Sequence, residues 1–314
     1  MKKILVVHFS QTGQLSKVVQ SLLAPLRQAE NVQIHEEVLK PVQAYPFPWS
    51  LFSFLDAFPE SVRLDPAPID PLTVDASESF DLIVLAYQVW YLSPSPPVTA
   101  FLTSIEGRKL LSGKPVVTVV ACRNMWMMAQ ETVKRLLHEA GAHLRDNIAF
   151  VDRANVLATL ITTPRWLLTG RRDRFFGLPR AGLTDEDIAG AARFGHALAE
   201  ALAEDKEKIC APMLTGLRAA DADPAMIMSE RAGHRAFRIW SGIIRRFGKP
   251  GQWQRRPALA VFVVYLIVMI VTVVPLSMIL RRMLAPLLRK RLDALKTYYE
   301  LPSGNADFRL PQHE

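Results

Sequence analysis

Three short stretches place hydrogen-bond donors and flat rings where an apolar run gives way to polar residues. The first is Ser10-Gln11-Thr12-Gly13-Gln14-Leu15, which follows the apolar ILVV of residues 4–7. Its hydroxyls, amides and backbone N–H groups would sit at a helix N-terminus, whose partial positive charge favours an anion. Gly13 permits a backbone twist and a close approach. The loop has no lysine and no GxGxxG spacing, which speaks against a Walker loop and a dinucleotide-type loop. It suits a phosphomonoester held by neutral donors; helix capping with no ligand is the plainer alternative.

The second stretch is Gln88-Val89-Trp90-Tyr91, after the apolar run DLIVLAY. Adjacent aromatics at a position usually given to polar residues call for a partner, either a flat heteroaromatic ring or neighbouring loops. The third is Cys122-Arg123-Asn124, after PVVTVVAC. Arg123 would offset charge on a ring or a phosphate, or form a surface ion pair. Proton-transfer candidates nearby in sequence are Tyr87, His138 and His143, and none has a convincing setting, so the catalytic residues stay unassigned. No metal-binding set is expected.

The elements that must position these loops alternate. Strands are expected at Lys3–His8, Val32–Leu39, Asp81–Tyr87, Pro115–Cys122 and Ile148–Val151. Helices are expected at Leu15–Ala29, Pro97–Ile105, Gln130–Gly141 and Thr184–Glu204. Strands separated by helices imply a doubly wound parallel sheet of five strands. Ligands then bind beyond the carboxyl ends of the strands, where all three stretches fall. A phosphate loop, an aromatic loop and a donor loop at one sheet edge describe a site for flavin mononucleotide (FMN).

Two segments break the rhythm. Residues 41–74 are rich in proline and carry YPFPWSLFSFLDAF, which suits a lid over an oily group or a membrane- or oligomer-facing patch. Residues 153–180 mix apolar and aromatic residues with arginines.

Charge divides the chain of 314 residues. Residues 1–230 carry 23 Lys and Arg against 26 Asp and Glu, whereas residues 231–314 carry 15 against 4. Residues 257–280, PALAVFVVYLIVMIVTVVPLSMIL, contain no charge and are long enough for a transmembrane helix. Arg255 and Arg256 precede the run and Arg281 and Arg282 follow it, so the basic flanks give no orientation. A re-entrant hairpin breaking at Pro275 would keep both flanks on one face. The arginines flank an apolar span instead of interleaving with aromatics, so no nucleic-acid partner is expected. Two cysteines, Cys122 and Cys210, cannot build a disulfide framework, and reduced, cytosolic surroundings suit the folded part.

ILVVHFSQTGQLSK, LIVLAYQVWYLSPSPPVTAFL and PVVTVVACRNMW resemble the flavodoxin-like family over residues 1–150, the second also its quinone-reductase branch. The resemblance implies FMN, with Ser10, Gln11, Thr12, Gly13, Gln14 and Leu15 at the phosphate. Gln88, Val89, Trp90, Tyr91, Cys122, Arg123 and Asn124 would border the ring. More narrowly, the Ser10–Leu15 loop is similar to that of flavodoxin-like proteins of dialkylresorcinol biosynthesis, labelled condensing enzymes. This implies flavin-dependent aromatisation of a cyclohexanedione.

The expected organisation is therefore a flavodoxin-like FMN domain at 1–205 with insertions 41–74 and 153–180. A basic connector at 206–256, a transmembrane helix at 257–280 and a basic tail at 281–314 follow. The expected function is that of an oxidoreductase at the inner (cytoplasmic) membrane, its flavin domain facing the cytoplasm. Its partners would be a lipophilic small molecule and membrane lipid, with a redox partner or a second copy as further candidates. The alternatives are a membrane-bound electron-transfer protein and an NAD(P)H:quinone reductase.

Overall fold

Ile4 and Val6 of the first strand face one helical layer, and Leu5 and Val7 face the other, so both sides of the strand are buried. This period-two alternation with apolar residues on both sides is what a parallel sheet covered on both faces requires. The computed structural model describes residues 1–310, without the side chains of Val156, Val274, Pro275 and residues 277–287. Residues 311–314 of the expected basic tail, and the side chains of Arg281 and Arg282, lie outside the described set.

The strands are β1 (Lys2–His8), β2 (Val32–Val38), β3 (Leu82–Trp90), β4 (Ser93–Pro94), β5 (Pro115–Cys122) and β6 (His143–Val151). The helices of the first half are α1 (Gln14–Gln28), α2 (Leu51–Asp56), α3 (Phe58–Arg63), α4 (Pro96–Thr103), α5 (Ile105–Leu111) and α6 (Met127–Glu139). Those of the second half are α7 (Val156–Thr169), α8 (Asp185–Ala189), α9 (Ala192–Ala203), α10 (Pro224–Arg245), α11 (Arg256–Val268) and α12 (Val274–Glu300). A π-helical turn, Met269–Val273, joins α11 to α12.

Five strands pair in parallel in the order β2-β1-β3-β5-β6. This is the doubly wound order with its switch point between β1 and β3. The expected five parallel strands are joined by a sixth, the two-residue β4, which pairs antiparallel with the end of β3. Helices α1 and α9 cover one face of the sheet, and α4, α5 and α6 cover the other. A Cβ on Gly195 of α9 would lie 2.0 Å from the Leu22 carbonyl oxygen, so the α1–α9 approach depends on this glycine.

The edge strand β6 is covered by later chain. Ala149 N–H donates to Ala219 O at 2.8 Å. Buried Asp146 accepts from Met213 N–H at 2.8 Å, Leu214 N–H at 3.1 Å and Ser303 Oγ at 2.8 Å. The segments expected as connector and basic tail therefore both pack on the α/β unit, and the connector contains the 22-residue α10.

A smaller apolar layer joins the 41–74 insertion to α10 and α11. Leu55, Phe58, Val62, Ile244, Ala258, Leu259 and Phe262 are buried together, with the Phe58 and Phe262 rings stacked at 4.3 Å. Arg255, fully buried, lies 3.3 Å from Asp56 and 2.9 Å from Glu60. Trp253–Val273, which supplies Ala258, Leu259 and Phe262 to this layer, is long and apolar enough to cross a membrane, and most of it is exposed.

Candidate functional site

The loop after β1 reaches the N-terminus of α1 with Gly13 at φ 76°, the left-handed region, and no side chain caps the helix. The first backbone N–H groups of α1 therefore have no intrahelical partner. Ser10 Oγ and Thr12 Oγ1 are buried beside them without a hydrogen-bond partner. A buried hydroxyl left unmatched costs about 1–3 kcal/mol, so two of them at one uncapped helix end mark a place built for an acceptor. A phosphate supplies such acceptors.

The two glutamines of the loop are engaged elsewhere. Gln14 Nε2 donates to Leu183 O at 3.2 Å while its Oε1 accepts from Leu183 N–H at 3.1 Å. Gln11 Nε2 donates to Tyr45 O and Pro46 O at 3.2 and 2.9 Å. Their side chains tie down the neighbouring loops instead of offering free amide donors. Gln88 Oε1 accepts from Gln11 N–H at 2.9 Å, fixing the first loop to the end of β3.

β3 continues past the expected end at Tyr87 because it turns into a hairpin, pairing Val89 with Pro94 and Trp90 with Ser93. The hairpin holds Tyr91 at φ 51° and Leu92 at φ 61°. Two consecutive bulky residues in the left-handed region are costly and are held by their surroundings. The Tyr91 hydroxyl donates to Phe54 O, and its ring packs against Phe54 and Phe58, each with centroids at 5.2 Å. Trp90 meets Tyr45 at 5.0 Å, Trp49 at 5.4 Å and Phe9 at 6.2 Å, all edge-on. The aromatic loop thus packs under the 41–74 insertion and lines the cleft as well. Trp49 N–H donates to Leu167 O at 2.8 Å, which closes that insertion against α7.

Together these elements enclose a cleft with about 920 Å³ of empty space, part of it open to solvent. Of the expected site residues, Gln11, Thr12, Gln14, Leu15, Gln88, Val89, Trp90, Tyr91, Cys122 and Arg123 line it. Ser10, Gly13 and Asn124 do not. Trp49 and Phe54, from the segment expected as a lid, line it too, and Asp152, Thr163, Trp166 and Gly182 line it unforeseen. The aromatics of 45–58 and the TPRW sequence at 163–166 were visible signals. Asp152 directly follows β6, so looking beyond the last strand as beyond the others would have found it.

Burial pushes the Cys122 thiol well up, with Glu230 adding to the effect, so it stays protonated. Burial likewise raises Tyr91 well above its ordinary value. Arg123 is drawn down by burial against the pull of Asp152, yet a guanidinium remains charged, and its buried Nε has no partner. Asp152 accepts from Ala154 N–H through Oδ1 and from Gly182 N–H through Oδ2, both at 2.9 Å. It is the one carboxylate among the described residues lining the cleft.

None of the proton-transfer candidates named from sequence reaches the site. Tyr87 is fully buried and donates to Gln130 Oε1 at 2.6 Å, while Gln130 Nε2 donates to Thr118 Oγ1 at 2.9 Å. His138 is exposed in the last turn of α6. His143 is exposed at the amino end of β6, opposite the strand ends that form the cleft.

No family model and no curated protein matches the sequence. Among solved structures, the chain is similar to a flavoprotein in complex with FMN from Lactobacillus acidophilus NCFM, at 14% identity and TM-score 0.38. That match covers 48% of this chain and 95% of the other. It is also similar to a flavodoxin from the domain Archaea (13%, TM-score 0.35, 66% and 99% covered). Oxidised flavodoxin 1 from Bacillus cereus is a third (13%, TM-score 0.33, 62% and 95% covered). The fold assignment stands on strand order and on a cleft at the switch point. By both, the chain has the flavodoxin-like doubly wound fold, with an apolar helical arm in its C-terminal third.

Proposed function

We propose that the chain is an FMN-dependent oxidoreductase attached to the cytoplasmic face of the inner membrane and acting on a lipophilic ring compound. The observation that carries this reading is the pair of buried, unmatched hydroxyls on Ser10 and Thr12 at the uncapped start of α1. Both could serve a phosphate; Thr12 lines the cleft whose aromatic walls suit a flat ring system, and Ser10 stands two residues before it in the same loop. In this reading Ser10, Thr12 and the first N–H groups of α1 hold the phosphate, with Gly13 giving close approach. Arg123 neutralises charge, and Trp49, Trp90 and Trp166 exclude water. When bound, FMN supplies an acceptor for a hydride.

The finer reading is aromatisation of a cyclohexanedione to a dialkylresorcinol. Such a substrate loses a hydride and a proton, and the product tautomerises to the aromatic diol. Asp152 is the group of this chain suited to take the proton, because Cys122 and Tyr91 are held in their protonated forms. Its two backbone hydrogen bonds fix the carboxylate and leave lone pairs on both oxygens. The apolar arm and the greasy 45–58 segment suit a substrate drawn from lipid.

The test is turnover of an alkyl-cyclohexane-1,3-dione by full-length protein in detergent, with FMN bound and dioxygen as terminal acceptor. Asp152→Asn should retain flavin colour and lose turnover. A wild-type protein that binds FMN but oxidises only NAD(P)H, with a quinone as acceptor, would overturn the substrate assignment in favour of quinone reduction.

A further inference from the structure

The helical arm that begins with α11 is fastened to the α/β domain at both ends. At its start, the Phe262 ring lies 5.9 Å from Phe237 and 5.6 Å from Trp240, both on α10. At its end, Glu300 Oε1 accepts from Ala222 N–H at 3.0 Å, and Lys296 Nζ lies 2.5 Å from Asp221. The chain then runs into the β6 edge. Ser303 Oγ accepts from Asn147 N–H at 2.8 Å, and Arg218 N–H donates to Ala306 O at 2.7 Å.

The two anchors stand close together. From Ala222 to Phe237 is at most about 25 Å along the chain and α10. From Phe262 to Glu300 the helical contour is roughly 55 Å. Side-chain reach does not close that gap, so a straight rod joining the anchors is excluded. The arm leaves the domain and comes back. A place for the bend exists at the π-helical turn Met269–Val273, with Pro275 in the first turn of α12.

What projects is apolar and exposed: Val264, Ile267, Val268, Val271 and Leu276 are each more than half exposed. With the bend at Met269–Val273, the outgoing leg from Leu266, the last residue packed on the domain, has about 5 residues, or roughly 8 Å, and the returning leg has about 10 residues, or roughly 15 Å, before its first charge at Arg281. Both fall short of a ~30 Å hydrocarbon core and stay within one leaflet. The feet are basic on both sides, with Arg245, Arg246, Lys249 and Arg256 before the arm and Arg289, Lys290 and Arg291 in its returning leg. A single span would carry one basic flank across the membrane, against the preference of Lys and Arg for the cytoplasmic side. A returning arm leaves both flanks beside anionic headgroups.

We infer that the arm is a re-entrant helical loop that enters and leaves the acyl layer of one leaflet from the side of the α/β domain. This rests on the membrane reading proposed above. The test uses full-length protein in sealed vesicles of phosphatidylcholine and phosphatidylglycerol, with a membrane-impermeant maleimide. Cys210 is exposed on the domain and serves as the internal reference, and Asp307→Cys reports the exposed C-terminal segment. The expected result is equal labelling of both positions without detergent, in protein that floats with the vesicles. Labelling of Asp307→Cys only after detergent, with Cys210 accessible throughout, would establish a single span and overturn the inference while leaving the membrane attachment. Protein that does not float with the vesicles would overturn both. Flotation of the unmodified chain guards against a folding defect of the variant.

Discussion

Replacing Thr12 by valine separates a ligand-binding hydroxyl from a structural one, because the two roles predict opposite signs. The change keeps the shape of the side chain and removes only Oγ1, which is buried and without a partner. In the FMN-free protein the variant no longer strands a hydroxyl, so folding should gain on the order of 1 kcal/mol. In the FMN complex it loses a hydrogen bond to a charged phosphate, worth about 1.5–3 kcal/mol. That corresponds to a dissociation constant raised roughly ten- to hundredfold. The assays are the urea midpoint of flavin-stripped full-length protein in detergent, and FMN titration followed by quenching of flavin fluorescence. A lower midpoint with unchanged FMN affinity would show that Thr12 supports the loop, and the phosphate assignment would lose its main support.

Three further outcomes follow from the same geometry. Arg255→Leu leaves Asp56 and Glu60 facing each other without their buried cation; the part-exposed carboxylates limit the cost to about 2–3 kcal/mol. Hydrogen exchange should accelerate in α2 and α3 while β1 and α1 stay protected; unchanged exchange in the insertion would contradict the clamp. Burial pushes Glu230 up to about 7 and Asp146 up to about 6, above their unfolded values. The folded chain thus keeps protons that the unfolded chain releases, so stability falls as pH rises from about 4 to 7 and levels off above. Glu230→Gln should flatten the upper part of that slope, and urea midpoints at pH 5 to 8 would show it. Finally, a thiol-exchange reagent at pH 8 should modify exposed Cys210 quickly and half-buried Cys122, whose thiol burial keeps protonated, much more slowly; two equally fast thiols would refute the burial argument.

The sheet was legible because β1, β3 and β5 are short apolar runs separated by amphipathic helices, a pattern with few alternatives. The loops beyond them were legible for the same reason, since strand ends locate the cleft. The sequence could not show that Gln11 and Gln14 spend their amides on Pro46 and Leu183, because these partners lie 35 and 169 residues away. Nor could it show Trp49 and Trp166 meeting at one cleft, which depends on the Trp49–Leu167 backbone bond between two insertions. The α10 segment reads as polar because only one narrow stripe, including Ile227, Glu230, Ser241 and Ile244, is buried. The returning arm was visible only as an option, since hydropathy counts residues and does not say where the chain ends are fastened.

The central claim is that the loop after β1 holds a phosphate. Its most direct measurement is parallel titration of flavin-stripped full-length protein with FMN and with riboflavin, which differ only by that group. The account predicts that FMN binds at least a hundredfold more tightly and that inorganic phosphate competes with it. Equal affinity for the two flavins, or no binding of either, would contradict it.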